Sequence, residues 1–542
     1  MSKSEDFGVL YGQKTTEDAL LIYSSYEDSK MSPETGDFII LTPQNESGLK
    51  YLARVEAEIY DEDPIFRSQD KTLMAVHYAR ISERELSDRD KQKIFSYTYK
   101  VKILGVFTMS GTSIKFTTAV RKLPTVSYHA RHLDQSEIRE ILNKDNKNGI
   151  EIGHLCIGDK INDNGIIRFD INRLRNKRTM VFAQSGFGKT NLIKVILKYM
   201  ISDTSYGKLV FDLNGEYFIE GNNNIKGLGD INETTVKDNL VVYTDKSIPD
   251  QYTNKFIYRG KVLINSIKNL SVGDILNFGT GFSDVMKSFL LYLDEEGVSD
   301  FIKKIDEYAD NSALLHQDFS DFFGNIKTNP KVGQKEDLSA RKTIMAIRKR
   351  LRHLIDEGRG IHSDSSSLVE DVFKYLKQGK TVIIDLSLKD NMDASIISTI
   401  IVRKLFEQNK LNYTNLENKN VINSVIFVEE AQNVLSEEFV KSNANPFVRV
   451  AKEGRKFGIG LVAITQRPSA ISEEIRTQAE NFMALHMGNS DDIKALIKSN
   501  INYDGVITKF IQTETIPGNL YMVSSEQAFV LPIRVIEFEN LI

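Results

Sequence analysis

Residues 183–190 read Ala-Gln-Ser-Gly-Phe-Gly-Lys-Thr, between the apolar run 180–182 and the helix-like run 191–197. Glycines allow consecutive backbone N–H groups to point toward one anion, and a helix N-terminus adds the positive end of its dipole. In this pattern the lysine reaches the β- and γ-phosphates and the hydroxyl can bind Mg²⁺. The stretch therefore predicts a nucleoside triphosphate site, formed by Ser185, Gly186, Phe187, Gly188, Lys189, Thr190 and Asn191.

One position departs from the G-x-x-x-x-G-K-[ST] pattern of phosphate loops. Ala183 stands where the first glycine is expected. An alanine is tolerated there only if the backbone does not need a positive φ.

Composition indicates a large protein without a disulfide framework. The 542 residues correspond to two to four domains of about 150 residues each. The single cysteine, Cys156, excludes internal disulfides and cysteine zinc sites. A polar start (residues 1–6) and the absence of any apolar run of about 18 residues predict a cytoplasmic protein with no membrane segment. Since 70 basic residues face 74 acidic ones, any contact with DNA has to be local.

The chain divides by pattern into four parts. Short alternating strands over 1–121 predict an N-terminal β-barrel, followed by a polar connector over 122–150. Alternating strands and helices over 151–265 and 379–542 predict an α/β fold, with a mainly parallel sheet that carries the phosphate loop. Helical patterns over 266–378 predict an α-helical insertion into this ATPase core.

Acidic side chains follow two predicted strands of the core. Strand 208–211 runs into Asp212 and Glu216, and strand 425–428 ends in Glu429 and Glu430. The carboxyl ends of parallel strands lie at one edge, where α/β proteins bind ligands. We interpret Glu429 as an acid on the metal side, together with Thr190, and Glu430 as a general base for water. The alternatives are an ordinary acidic turn at Asp212 and acids that merely open the helix after Glu430.

A third strand, 459–464, has polar residues at both ends. Gln466 follows it and could orient the attacking water. Arg455 precedes it in a glycine-flanked loop and is expected to be exposed. An exposed arginine is ordinarily a solvated charge.

Taken together, these segments resemble the HerA family, in the same group as FtsK-like motors. The resemblance rests on the β-rich N-terminus and on five stretches, namely 185–190, Asp212-Leu213-Asn214-Gly215-Glu216-Tyr217, Glu429-Glu430-Ala431-Gln432, 453–461 and Thr465-Gln466-Arg467-Pro468-Ser469. The last two are the most specific, because nothing in a generic ATPase requires them to occur together.

The resemblance implies a RecA/FtsK-like P-loop NTPase core with a HerA-type barrel, which hydrolyses ATP with Mg²⁺. It implies a homohexameric ring with double-stranded DNA in the central channel. By this resemblance Glu430 would polarise the water, Gln466 would sense the γ-phosphate, and Arg455 would be the arginine finger for a neighbour's ATP. Two departures are Glu429, where related motors have aspartate, and Gln432, where histidine is frequent.

Family members act as helicases or translocases with a partner, such as a NurA-like nuclease in DNA end processing or a sirtuin-like NAD-consuming effector in antiphage defence. The departures at Ala183, Glu429 and Gln432 favour defence. Two alternatives stay open. One is an ATP-regulated scaffold that assembles and activates an effector enzyme, and the other is a conjugation or secretion ATPase.

A basic stretch and four isolated histidines are two further features of the sequence. Residues 341–352 form a basic stretch in which Ile344, Ile347 and Leu351 recur at helical spacing, which predicts an amphipathic helix whose basic face is solvated. The histidines His154, His316, His353 and His486 lack metal-site spacing and are expected to be structural or surface residues.

Overall fold

The computed structural model of the chain describes residues 6–13, 19–25, 32–44, 49–60, 96–110, 113–133, 137, 141–143, 149–157, 160–221, 225–278, 283–290, 299, 302–303, 306–307, 334–355, 360–414, 420–442, 445–525 and 527–542. Internal contacts divide the chain into two units. The barrel unit comprises 1–170, 186–188 and 483–536, and the sheet unit comprises 171–185, 189–482 and 537–542.

The described strands are, in chain order, β1 (Asp6–Gln13), β2 (Ala19–Ser25), β3 (Phe38–Thr42), β4 (Lys50–Tyr60), β5 (Ser96–Ser110), β6 (Ser113–Thr117), β7 (His129–His132), β8 (Ile150–Ile157), β9 (Lys160–Phe169), β10 (Arg178–Phe182), β11 (Gly207–Asp212), β12 (Leu240–Tyr243), β13 (Ile257–Tyr258), β14 (Thr381–Asp385), β15 (Ser424–Val428), β16 (Ile459–Thr465), β17 (Asn481–Ala484), β18 (Asn519–Ser524) and β19 (Gln527–Val535).

The described helices are α1 (Lys189–Ser202), α2 (Thr234–Asn239), α3 (Ser266–Asn269), α4 (Val272–Phe278), α5 (Asp284–Leu290), α6 (Gln334–Ile355), α7 (Leu368–Lys377), α8 (Asn391–Thr414), α9 (Gln432–Leu435), α10 (Glu437–Ser442), α11 (Pro446–Glu453), α12 (Glu473–Arg476), α13 (Ser490–Ser499) and α14 (Val506–Thr513). Within these described helices, no stretch is both long enough and apolar enough to cross a bilayer.

A parallel sheet forms the centre of the sheet unit. Its strands run in the order β13-β12-β14-β11-β15-β16-β10, and every neighbouring pair in this order is parallel. Strands β11, β14, β15 and β16 are buried along their whole length, as expected for strands covered on both faces. The predicted α/β fold is confirmed, and the parallel order brings the carboxyl ends of these strands to one edge.

Helix α1 follows β10 directly through the phosphate loop. Most of its residues are buried, including Leu192, Ile196 and Met200 on successive turns. A helix that is apolar on nearly all sides is stabilised by burial against its neighbours rather than by propensity. The phosphate loop is therefore fixed between a buried strand and a buried helix.

In the barrel unit, seven strands form a sheet in the order β2-β1-β7-β3-β4-β5-β6, which closes through pairing of β2 with β5. Alternate residues point inward into one core, which includes Phe7, Ile22, Ile39, Tyr51, Val55, Tyr99 and Val101. The expected N-terminal barrel is confirmed. Its sheet extends past residue 121, because β7 lies inside the expected connector of 122–150 and pairs with β1 and β3.

The ends of the expected ATPase core also differ from the prediction. Strands β8 and β9, together with β18 and β19, are joined in antiparallel pairs and belong to the barrel unit. Alternation of strands and helices predicts parallel pairing only when helices separate the strands, and only two residues lie between the strands of each of these two pairs. The described residues of the expected insertion over 266–378 are mainly helical, in α3 to α7. Residues 360–367 are not helical, and His362 forms an isolated bridge with Ile264. The polar break predicted at 329–333 lies outside the described residues.

Candidate nucleotide site

Four strand ends form the candidate site at the carboxyl edge of the parallel sheet. Strand β16 pairs with β10 on one side and β15 on the other, and β15 pairs with β11. The phosphate loop follows β10, the loop 213–217 follows β11, the acid pair follows β15 and Gln466 follows β16. Stretches separated by more than 200 residues in sequence thus end at the same edge.

The backbone of the phosphate loop agrees with the glycine pattern. Gly186 and Gly188 have φ angles of 85° and 92°, values that side chains other than glycine rarely adopt. Ala183 does not have a positive φ, so this position needs no glycine. Its N–H instead donates to the carbonyl of Thr465 over 3.2 Å, which continues the pairing of β10 with β16.

The loop leads into Lys189 and Thr190 at the start of α1. The Lys189 side chain is largely buried, and its Nζ lies 3.8 Å from Oε1 of Glu430. The Thr190 hydroxyl donates to Oε2 of Glu216 over 2.7 Å. Asn191, which the sequence places near the cofactor, instead accepts a hydrogen bond from the N–H of Phe538 over 2.7 Å. Its side chain therefore holds the C-terminal segment.

Asp212 supports the loop that carries Glu216. It is fully buried, and its Oδ1 accepts from the N–H groups of residues 214, 215 and 216, with the shortest distance, 2.7 Å, to Gly215. Its Oδ2 accepts from the N–H of Tyr217 over 3.1 Å. Burial and the nearby Asp385 raise the pKa of Asp212 to about 6. Both oxygens of Asp212 are thus occupied by the loop, and Glu216 is the side chain exposed toward Thr190.

Glu429 is directed toward the same loop. Its Oε1 accepts from the Tyr217 hydroxyl over 2.8 Å, and its Oε2 accepts from the N–H of Leu213 and from Nδ2 of Asn214, both over 3.3 Å. The side chain is buried, and this burial together with Asp212 raises the pKa of Glu429. The acid in contact with Thr190 is therefore Glu216, whereas Glu429 was the one predicted on the metal side.

These residues fit a magnesium ion. Mg²⁺ prefers oxygen ligands and is held by one or two carboxylates together with substrate phosphates. Thr190 and Glu216 supply a hydroxyl and a carboxylate 2.7 Å apart next to the phosphate loop. When bound, the ion would neutralise charge on the phosphates. Among the residues that the structure describes, no group of three or more His, Cys, Asp and Glu side chains could hold a metal alone.

Glu430 is held by two amides. Gln466 Nε2 donates to its Oε1 over 3.0 Å, and Gln432 Nε2 donates to its Oε2 over 2.6 Å. Its backbone φ is 45°, which is unusual for a glutamate and is tolerated when the surroundings determine it. The side chain keeps 22% of its surface exposed. Lys189, Glu430 and Gln466 thus meet, and the Glu430 carboxylate remains partly exposed beside the lysine.

Arg455 lies in the short helical turn Gly454–Phe457 between α11 and β16. The turn ends at Gly458, whose φ of 75° allows the chain to reverse into the strand. The Arg455 side chain is exposed. It is therefore presented on the surface of the chain, in agreement with the sequence-based expectation.

Sequence reasoning missed the support of this site. Tyr217, Gln432 and Asp385 each contact or influence an acid at the edge. Position directly after a strand is a usable signal for Asp385, which ends β14, and for Gln432, which follows the acid pair. No local pattern marks Tyr217, because its function depends on a contact with Glu429 more than 200 residues away.

The remaining predicted features are the basic helix and the histidines. In α6 Ile344, Ile347 and Leu351 are buried, so the helix is amphipathic as expected. Of its basic residues, Arg348 pairs with Asp306, while Lys349 is exposed. His486 lies 3.0 Å from the carbonyl of Ile511 and packs on Phe187, with a ring distance of 4.1 Å. His316 and the side chain of His353 lie outside the described residues.

The chain is similar to known protein families and to solved structures. Residues 150–405 match the family described as "Helicase HerA, central domain", and residues 336–500 match "Zonular occludens toxin (Zot)". Two solved structures with a similar chain are VirB4 of Thermoanaerobacter pseudethanolicus, at 12% identity over 72% of this chain and 96% of that chain with a TM-score of 0.42, and the conjugative coupling protein TrwB, at 14% identity over 73% and 90% with a TM-score of 0.43.

Curated relatives come from archaea. The DNA double-strand break repair helicase HerA of Sulfurisphaera tokodaii is 24% identical over 65% of this chain, and that of Pyrococcus furiosus is 25% identical over 65%. In both cases the match spans 63% of the relative's length. A probable helicase of Methanocaldococcus jannaschii is 21% identical over 94% of this chain and 86% of its own length. The central part of the chain, residues 150–405, therefore belongs to the family described as the central domain of helicase HerA.

Proposed function

We propose that this chain is an ATPase that translocates along or unwinds double-stranded DNA. The observation that carries the proposal is the meeting of Lys189, Glu430 and Gln466 at the edge where Thr190 contacts Glu216. A phosphate-binding lysine beside a partly exposed, amide-held carboxylate is the arrangement that phosphoryl transfer to water requires. The names of the archaeal relatives support DNA as the substrate on which the motor acts.

In this proposal each residue acts on ATP directly. The phosphate loop and Lys189 bind the β- and γ-phosphates. Glu430 orients the attacking water and accepts its proton, since its carboxylate is the partly exposed one of the pair. Gln466, which already contacts Glu430, senses whether the γ-phosphate is present. Glu216 and Thr190 would hold Mg²⁺, which would neutralise charge on the phosphates.

The assembly and its partners extend this proposal. We infer a homohexameric ring in which Arg455, exposed on its turn, completes a neighbour's site. A NurA-like nuclease or a sirtuin-like NAD-consuming effector would work with the ring in DNA end processing or antiphage defence. The departures at Glu429 and Gln432 from the residues frequent in related motors support the defence role.

One experiment separates binding from hydrolysis and the motor from a scaffold. Lys189→Ala should lose ATP binding, measured with a fluorescent ATP analogue, because the phosphates lose their cation. Glu430→Gln should bind ATP with wild-type affinity and lose hydrolysis by about 10²-fold or more, because only the proton acceptor is removed. Near-normal phosphate release by Glu430→Gln would show that another group is the base.

The DNA arm uses the wild-type chain. Its ATPase should rise when duplex DNA is added, and the rise should shrink with increasing salt, since contacts with DNA phosphates weaken as counterions are added. Glu430→Gln with the same DNA serves as the control for contaminating ATPases. An ATPase that ignores duplex DNA at low salt, yet still activates a partner enzyme, would support the scaffold instead.

A further inference from the structure

A chain of two consecutive side-chain hydrogen bonds connects Thr465 to Glu430, the candidate base, through Gln432. The Thr465 hydroxyl, at the end of β16, donates to Oε1 of Gln432 over 2.5 Å, and Gln432 Nε2 donates to Oε2 of Glu430 over 2.6 Å. Thr465 is fully buried, and Gln432 begins α9, one residue after the acid pair. The chain connects two neighbouring strands through side chains alone.

The direction of these bonds follows from the chemistry of the groups. The N–H of Arg467 donates to Thr465 Oγ1 over 2.9 Å, and a backbone N–H can only donate. An ionised carboxylate can only accept, so the amide nitrogen of Gln432 faces Glu430 and its carbonyl oxygen faces Thr465. The Thr465 hydroxyl, which accepts from Arg467, then donates its own proton to that carbonyl oxygen. Each donor in the chain thus meets one acceptor.

This arrangement controls the orientation of Glu430. The carboxylate has one amide on each oxygen, and only Gln432 is itself fixed by a buried partner. Gln466 lies on the side of Lys189, because both contact Oε1. A γ-phosphate bound on the side of Lys189 would therefore change the contacts of Gln466 and of Oε1. The hydrogen bond from Gln432 to Oε2 would stay in place.

We propose that Gln432 is the positioning residue of the base, and that Thr465 acts through it. This inference rests on the proposed ATPase function. Gln432 would contact neither nucleotide nor metal, and it would set the angle of the Glu430 carboxylate toward the attacking water. Since general bases depend on alignment within hydrogen-bond distance, loss of this support lowers turnover and leaves nucleotide binding intact.

The test compares Gln432→Ala with wild type in three measurements, namely kcat from phosphate release, Kd for a non-hydrolysable ATP analogue, and Tm. We expect kcat to fall about 10-fold or more, with Kd changed by less than about two-fold, because the base stays present and is only misaligned. Gln432→His, in which the ring supplies one N–H donor and one nitrogen acceptor in place of the amide, should have a higher kcat than Gln432→Ala. Gln512→Ala, at an exposed glutamine of the barrel unit, is the matched control.

Thr465→Val completes a double-mutant cycle. The substitution keeps the shape of the side chain and removes the hydroxyl, so kcat should fall in the same direction. Combined with Gln432→Ala it should cause little additional loss, since the two residues belong to one chain. Additive losses, a wild-type kcat in Gln432→Ala, or parallel losses of Kd and Tm would each overturn the inference. A wild-type chain that does not hydrolyse ATP would overturn the proposed function, and this inference with it.

Discussion

Three carboxylates near this sheet edge show how the surroundings of a residue decide its role. Asp212 and Glu429 are buried, and each of their oxygens accepts hydrogen bonds from the loop that follows β11. Glu430 keeps part of its surface exposed and accepts from two amides. Burial favours the neutral form of a carboxyl, and a neighbouring carboxylate adds to this effect, namely Asp385 for Asp212 and Asp212 for Glu429. The pKa values of Asp212 and Glu429 are raised for these two reasons. This difference in exposure supports the proposal that Glu430, rather than Asp212 or Glu429, acts on water.

At this scale, Asp212→Asn tests the support of the loop. One carboxylate oxygen becomes an NH₂ group that faces a backbone N–H, so at least one of the loop's donors loses its acceptor. We expect the free energy of unfolding to fall by about 1–3 kcal/mol and kcat to fall with it, because Glu216 is no longer held at Thr190. Denaturant titration and phosphate release measure the two effects.

The matched control is Asp238→Asn, a change of the same type at an exposed aspartate. It should leave both quantities within error. A stable Asp212→Asn variant with full turnover would show that the loop is held by its other contacts.

At the scale of elements, one arginine joins the helical insertion to the core. Arg403, in the middle of α8, is buried and lies against Asp274 of α4, with 3.0 Å between Nε and Oδ2. It also donates to Glu407 over 2.9 Å and to the carbonyl of Asn269. The N–H of Ser271 also donates to Oδ2 of Asp274, over 2.9 Å. Two short helices of the insertion are thus fixed by one guanidinium.

Removal of one partner should be costly at this position. Asp274→Ala leaves the Arg403 charge buried with less compensation, and we expect a loss of about 3–5 kcal/mol in the free energy of unfolding. The double change Asp274→Ala with Arg403→Met should recover part of this loss, because the buried guanidinium is gone and Glu407, which loses its partner, is partly exposed to water. Lys410→Met, at an exposed lysine of the same helix, is the control. Equal losses in the single and double variants would contradict this account.

At the scale of the whole molecule, the barrel shares its packing with a distant segment of the chain. Phe529 of β19 packs on Phe38 of β3, with 5.9 Å between ring centroids, and on Phe116 of β6 at 6.2 Å. Glu56 of β4 accepts from the N–H of Val506 over 3.2 Å. Removal of residues 1–120 would expose this apolar surface on residues 483–536. Point substitutions on the barrel are therefore the safer way to test whether it binds a partner.

The proposed ring predicts complementation between subunits. Arg455→Ala subunits keep an intact phosphate loop, and Lys189→Ala subunits keep the exposed arginine. Each variant alone should lose most of its ATPase, since an arginine finger contributes roughly 10³-fold or more to turnover. A mixture of the two should recover part of the activity, because some interfaces then hold both groups. Steady-state ATPase of the mixture measures the recovery.

Lys456→Ala, at the exposed neighbour of Arg455, controls for a general loss of positive charge and should remain active. Analytical ultracentrifugation gives the size of the assembly under the same conditions. A monomer with full ATPase activity would rule out a shared site.

Local patterns in the sequence determined much of this protein. Mostly apolar runs of three to six residues predicted β10, β11, β15 and β16 close to their observed bounds, because a short continuous apolar run is typical of a fully buried strand. Since parallel strands share their carboxyl edge, the positions of Lys189 and Glu430 near one another also followed from sequence. The phosphate loop was predictable because its geometry depends on adjacent residues.

Only the tertiary structure decided which acid contacts which donor. Glu216 contacts Thr190, Glu429 accepts from Tyr217, and Gln432 connects Thr465 to Glu430 across neighbouring strands. The same reason applies to β7, whose place in the barrel depends on pairing with β1 and β3. The spacing of apolar residues shows which face of its own helix or strand a residue occupies. Burial, pKa and hydrogen-bond partners depend on residues brought close by folding, and no local pattern contains that information.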